Sequence, residues 1–289
     1  MKKVKIIGIL IIIAIVLVIA FMGKNSLAKR IYDEIINYKS LLEVSFSKEY
    51  QQLSSDTEYA IYEKDIRIPI LIYHEITKSM PSRDQYYMQT TANRFEEQLK
   101  GLQNEGYKFI SYDDLVEYYR GNKRLTSKTI LVGFDDGWIG NYENAFPILK
   151  KLNIPAAIYV VDDQVGTENF FSWEQAKEMV DSGLVSIYSH GKTHIYYDKV
   201  SADELLSSLN EAYENIENHL GSVKNKVFTY PFGACTEEQI NVLEEAGYIQ
   251  NMTDDKINHS KSLDLSRLHR YYAKQNESEY TIIKHINEI

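Results

Sequence analysis

Apolar positions follow two different patterns along the chain. Residues 6–22, IIGILIIIAIVLVIAFM, form one unbroken apolar run that begins just after Lys2, Lys3 and Lys5. With Val4 it approaches the ~20 residues that span a bilayer. The run is longer than the apolar part of a cleavable signal and ends in Phe21-Met22 rather than in a small-x-small site. It predicts an uncleaved transmembrane signal-anchor over residues 1–23, with cleavage near Ser26-Leu27-Ala28 as the alternative. Basic residues flank both ends, Lys24, Lys29 and Arg30 on the far side, so the charge bias is mild. The expected arrangement is a single pass through the cell membrane with the C-terminal domain extracellular. Residues 24–65 read as a juxtamembrane helix and spacer: Ile31, Ile35, Ile36 and Leu42 recur at helical spacing before the polar SSDTE of residues 54–58.

From residue 66 the period changes. Short apolar runs at 68–74 (IPILIYH), 129–134 (TILVGF), 156–161 (AAIYVV), 184–189 (LVSIYS) and 226–231 (KVFTYP) alternate with amphipathic stretches. That alternation predicts strands and helices of a βα repeat. Ser172 with Gln175, Ser201 with Glu204 and Thr236 with Gln239 have the spacing of reciprocal helix N-caps. Gly106, Gly183, Gly221 and Gly247 stand where helices would end in a left-handed residue. Residues 66–289 therefore predict one α/β domain, of a size ordinary for a single βα barrel.

Composition changes this picture little. With 44% hydrophobic and 25% charged residues the chain reads as folded, and its formal charge of -9 argues against a nucleic-acid binder. The single cysteine, Cys235, excludes an intramolecular disulfide and leaves any metal site to His and carboxylates. It is expected to pack as a small, buried residue.

Candidate chemistry gathers at the strand ends. TILVGF runs into Asp135-Asp136-Gly137, LVSIYS into His190 and His194 of SHGKTH, and IPILIY ends in His74. Taken singly, Asp-Asp-Gly is most often a turn and the two histidines most often surface loop. Their joint occurrence at one end of a βα fold points to a divalent-metal site, because one Asp and two His make an open catalytic ligand set.

The succession FDDGW, SHGKTH, TYPFG, with YHEI, RFEEQLKGLQNEGY, NAFPILKKLNIPAAIYVV and SWEQAKEMVDSG between and around them, resembles the polysaccharide deacetylase family, the NodB-homology domain of carbohydrate esterase family four. The likeness covers most of residues 68–270. It implies a distorted (β/α) barrel, a divalent metal that is usually zinc (Co2+ or Ni2+ being the other choices), and removal of acetyl groups from an N-acetylated sugar. By that resemblance Asp136, His190 and His194 match the metal triad and Asp135 the general base. The turn Tyr230-Pro231-Phe232-Gly233 matches the oxyanion and substrate segment, with a backbone N–H near Phe232 completing the oxyanion hole.

The sequence departs from the common family pattern twice. The apolar-x-His strand expected to carry the general acid comes first, as LIYH, which implies a circular permutation with His74 in that role, as in the branch acting on poly-N-acetylglucosamine. His285 in IIKH is the competing candidate. Many relatives also carry an arginine where Thr229 stands; Arg270, with Arg267 as the fallback, is expected to hold Asp135 instead. Trp138, Tyr86, Tyr87 and Trp173 offer aromatic faces for sugar rings, although Trp173 begins a capped helix and is expected in the core. The resulting expectation is a membrane-anchored, metal-dependent hydrolase that deacetylates a cell-surface N-acetylglucosamine polymer, most readily poly-N-acetylglucosamine. The alternatives are a deacetylase of peptidoglycan or another glycan, and a non-catalytic glycan-binding envelope protein.

Overall fold

A computed structural model describes residues 65–288. The expected membrane anchor at residues 1–23 and nearly all of the spacer, residues 24–64, lie outside the described residues. Among the described residues no helix is long and apolar enough to cross a membrane.

The α/β domain is built on a curled parallel sheet. Besides Lys108–Phe109, which pairs with the start of β2, its strands in chain order are β1 (Ile70–Tyr73), β2 (Thr129–Asp136), β3 (Ala156–Val160), β4 (Val185–Ser189), β5 (Val227–Thr229), β6 (Ile249–Asn251) and β7 (Tyr271–Tyr272). Their spatial order is β6-β5-β4-β3-β2-β1-β7, with every neighbouring pair parallel. The last strand thus lies beside the first. The segment leading into β7 also bonds to the opposite edge, where Met252 N donates to Leu268 O at 2.7 Å, while Ala273 N donates to Ile72 O at 3.0 Å. One stretch of chain therefore bridges both edges of the curl.

The expected strand at 68–74 is divided by Pro69, which has no N–H to donate. Arg67–Ile68 pairs antiparallel with Asn258–His259, and β1 follows. Within the strands, alternate residues face opposite sides. Leu71, Tyr73, Ile130, Val132, Phe134, Ile158 and Val160 join the core under the helices. The intervening positions, Gly133, Asp135, Tyr159, Thr229 and Asn251, point into the curl. Space there is limited: a Cβ on Gly133 would sit 2.9 Å from the Tyr159 ring.

The helix signals are read as written, with one difference. Ser172 with Gln175 and Thr236 with Gln239 cap Trp173–Asp181 and Glu237–Glu245 reciprocally. Ser201 caps Ala202–Leu220 from one side only, accepting from Glu204 N at 3.2 Å. Gly106, Gly183, Gly221 and Gly247 all take positive φ. Since parallel strands all end on one side, the chemistry carried at the C-terminal ends of β1, β2 and β4 meets there.

Candidate metal and active site

Asp135 and Asp136 are the last residues of β2, and consecutive strand residues point to opposite faces. The chain leaves the strand by a left-handed path, φ 76° at Asp136 and 86° at Gly137. Aspartate tolerates that region better than most residues, and the departure re-aims its carboxylate. Asp136 Oδ2 accepts the indole N–H of Trp138 at 2.9 Å. Its Oδ1 is buried with no hydrogen-bond partner, and lies 3.5 Å from His190 Nε2 and 3.4 Å from His194 Nε2.

His190 Nδ1 lies 2.8 Å from the Thr229 carbonyl, which can only accept, so Nδ1 carries the proton and Nε2 is left with its lone pair facing Asp136. Burial pushes the His190 pKa down against the pull of Asp135 and Asp136, which favours the neutral ring. One ligand atom from each of Asp136, His190 and His194 lies within 4.8 Å of the others. A buried carboxylate oxygen without a partner is costly. Two imidazole nitrogens turned toward that same oxygen make the set fit a small divalent cation of the zinc type.

Asp135 faces the other way, into the curl. Arg270 Nη1 and Nη2 donate to its two oxygens at 2.7 and 3.0 Å, both residues being buried. Arg270 is itself held by Nε donating to Met252 O at 2.9 Å and Nη2 to Thr253 Oγ1 at 2.8 Å. Burial alone would raise the Asp135 pKa, but the Arg270 guanidinium, by its charge and its hydrogen bonds, leads the groups that outweigh burial and hold it at about 2. Arg267 does not reach this carboxylate; it forms an exposed fork on Glu237 at 2.9 and 2.6 Å.

His74 follows β1 directly. It is buried, its ring lies parallel to Tyr272 at 5.5 Å, and Nδ1 has no hydrogen-bond partner, unlike a satisfied core histidine. Burial lowers its pKa, while the charges of Asp135 and Asp136 oppose that. Its carbonyl accepts from Asn141 Nδ2 at 2.7 Å, which fixes the strand end. The chain carrying Asn141 must come close: a Cβ on Gly140 would sit 2.2 Å from Ile76 O. His285 is elsewhere, on helix Glu279–Glu288, with Nδ1 2.6 Å from the Tyr271 hydroxyl.

The structure corrects one expected substrate contact. Tyr230 is fully buried, its hydroxyl donating to Gln250 Oε1 at 2.7 Å, so it supports the turn from below and offers no surface to a substrate. Trp138 is half-buried, stacks on Phe170 at 4.6 Å and donates its N–H to Asp136, so it braces that carboxylate. Phe232 and Gly233 do reach the mouth of the site, both at positive φ, with Phe232 exposed and packed at 4.5 Å on His194. Trp173 stacks on His219 and packs against the core, Cys235 is half-buried, and Tyr87 is exposed.

Sequence reasoning missed a buried polar chain inside the curl. Tyr159 donates to Tyr112 at 2.5 Å, Tyr112 to Asn251 Oδ1 at 2.8 Å, and Asn251 Nδ2 to Thr229 Oγ1 at 3.0 Å. Its far end is the residue whose carbonyl holds His190; at its near end the Tyr159 ring lies 5.5 Å from the Arg270 guanidinium. Tyr272 and Asn141 were missed as well. The strand alternation of RYYA could have suggested that Arg270 and Tyr272 share a face; nothing in the sequence marks Asn141.

Comparison with known proteins agrees with this geometry. Residues 122–250 match the family model described as polysaccharide deacetylase. YxkH of Bacillus subtilis is 28% identical over 208 residues, covering 72% of each chain. The poly-beta-1,6-N-acetyl-D-glucosamine N-deacetylase of Staphylococcus aureus is 29% identical over 170 residues, which span 54% of this chain and 57% of that protein. Among solved structures, IcaB from Ammonifex degensii superposes with a TM-score of 0.66 at 28% identity, covering 76% of this chain and 97% of that one.

Proposed function

We propose that this chain, a deacetylase by its likeness to the polysaccharide deacetylase family, acts on a cell-surface polymer of N-acetylglucosamine, most specifically poly-N-acetylglucosamine. The observation that carries the reading is the pair of adjacent acids with divided surroundings: Asp136 turned toward two histidines, Asp135 clamped by Arg270. Likeness to the Staphylococcus aureus enzyme and to IcaB supports the choice of polymer. So does the position of LIYH ahead of the other motifs, a circular permutation relative to the commoner family order.

In this reading Asp136, His190 and His194 hold the cation, zinc by preference, with Co2+ or Ni2+ as substitutes. When bound, such a cation polarises the acetamide carbonyl and acidifies water. Asp135, kept ionised and oriented by the guanidinium, accepts the proton of the attacking water. His74 donates a proton to the departing amine, and the proton that Asp135 takes from the water replaces it. The Phe232 turn stabilises the developing oxyanion through a backbone N–H, and Gly233 lets the substrate approach. Residues 1–23 hold the enzyme in the membrane with its catalytic domain outside.

The test is acetate release from N-acetylglucosamine oligomers and from peptidoglycan, using metal-stripped protein reloaded with one cation at a time. Asp135→Asn is expected to lower turnover by about 100-fold or more while leaving bound metal unchanged. Equal acetate release by Asp135→Asn and the parent would remove the general base. No release from any glycan, with metal bound normally, would favour a glycan-binding protein, and preference for peptidoglycan would change the polymer.

A further inference from the structure

The side chains of an aromatic pair at the mouth of the site have no part in the chemistry just described, which uses only the backbone of the Phe232 turn. Tyr196 and Phe232 come from separate loops and stack with ring centroids 4.2 Å apart and planes 12° from parallel. Phe232 in turn packs on the ring of His194 at 4.5 Å and 67°. Both nevertheless remain open to solvent, Tyr196 at 55% and Phe232 at 52%, with Ile195 beside them at 42%.

The pair is built rather than loose. Phe232 holds a left-handed φ of 59°, a conformation that a bulky side chain rarely adopts. Tyr196 is set by its neighbour Tyr197, which is buried, donates to Thr193 O at 3.0 Å, and packs its hydroxyl 2.3 Å from where a Cβ on Gly191 would be. Gly191, at φ 94°, is therefore required for Tyr197 to seat and for Tyr196 to point outward. Backbone strain and exposed aromatic surface placed against a metal-ligand candidate are what a binding surface needs and what a core does not.

A polymer that places one acetamide at the cation must pass its neighbouring sugars over the surrounding surface. Aromatic faces pack well on the apolar C–H face of a pyranose, and the stack lies one ring beyond His194. Resting on the deacetylase reading, we propose that Tyr196, backed by Phe232, is a carbohydrate subsite for the sugar next to the one being deacetylated, and so sets a preference for oligomers over short substrates.

Two measurements on the full-length chain test this. The first is the ratio of kcat/KM for the N-acetylglucosamine hexamer to that for the dimer. Tyr196→Ala is expected to lower the ratio about tenfold through KM, and Tyr196→Phe, which keeps the ring, to restore it. An unchanged ratio in Tyr196→Ala, or an equal fall in kcat at every length, overturns the proposal, the latter by making the pair only a support for His194. The second is calorimetric binding of the hexamer in an Asp135→Asn background, expected to weaken about tenfold with Tyr196→Ala. Equal binding by both variants, or none by the protein with Tyr196 intact, overturns the subsite. If the parent releases no acetate from any oligomer, the deacetylase reading fails by itself and the binding comparison still decides the subsite.

Discussion

Replacing Arg270 by methionine isolates what the buried ion pair does. Arg270 and Asp135 are each 2% exposed, and two parallel hydrogen bonds of 2.7 and 3.0 Å join them. Removing the guanidinium strands a buried carboxylate, and also leaves Met252 O and Thr253 Oγ1 without their donor. Breaking a buried pair in this one-sided way costs about 3–5 kcal/mol. For a domain of this size that lowers Tm by roughly 6–20 °C. The lowered pKa of Asp135 implies a smaller figure for the same pair. Its pKa is lowered from 3.8 to about 2, a difference worth roughly 2 kcal/mol. Because the shift is downward, that stability is present above pH 4 and is lost as pH falls toward 2.

Urea denaturation of Arg270→Met at pH 7, beside Asp135→Asn and the double variant, reads both effects. The single Arg270→Met change is expected to be the least stable of the three. The double variant should recover most of the loss, since a neutral amide needs no counter-charge. A cost below about 1 kcal/mol for Arg270→Met, or a double variant no more stable than that single one, would refute the argument that uncompensated charge dominates.

Two further predictions concern the rest of the site. His190→Ala is expected to abolish stoichiometric cobalt binding, read as loss of the visible absorption of a cobalt site with nitrogen and oxygen ligands; full retention of the spectrum would show that the ion sits elsewhere. Tyr112→Phe removes the acceptor for the Tyr159 hydroxyl and the donor to Asn251 Oδ1, both buried. It should cost about 1–3 kcal/mol in denaturant unfolding, and a neutral result would mean that water or rearrangement satisfies both groups.

What the sequence by itself determined was local. The apolar runs and their period marked the strands, and Ser172, Thr236 and the C-terminal glycines marked helix ends, because caps and left-handed turns depend on residues within a few positions of one another. Asp135, Asp136, His190 and His194 were legible because parallel βα units bring all strand ends to one side, so their places in the sequence already implied proximity. Tertiary structure decided what depends on reach across the curl. Only the fold could choose between Arg270 and Arg267, since the Asp135 partner is 135 residues away and the two arginines differ by three positions in one loop. Only the fold could leave His74 at the site and send His285 to Tyr271, show that Trp138 and Tyr230 are spent on internal bonds, and stack Tyr196 on Phe232. Residue type states what a side chain can bond to; which partner it meets is set by strand order, by the direction of the side chain at a strand end, and by the space its neighbours leave.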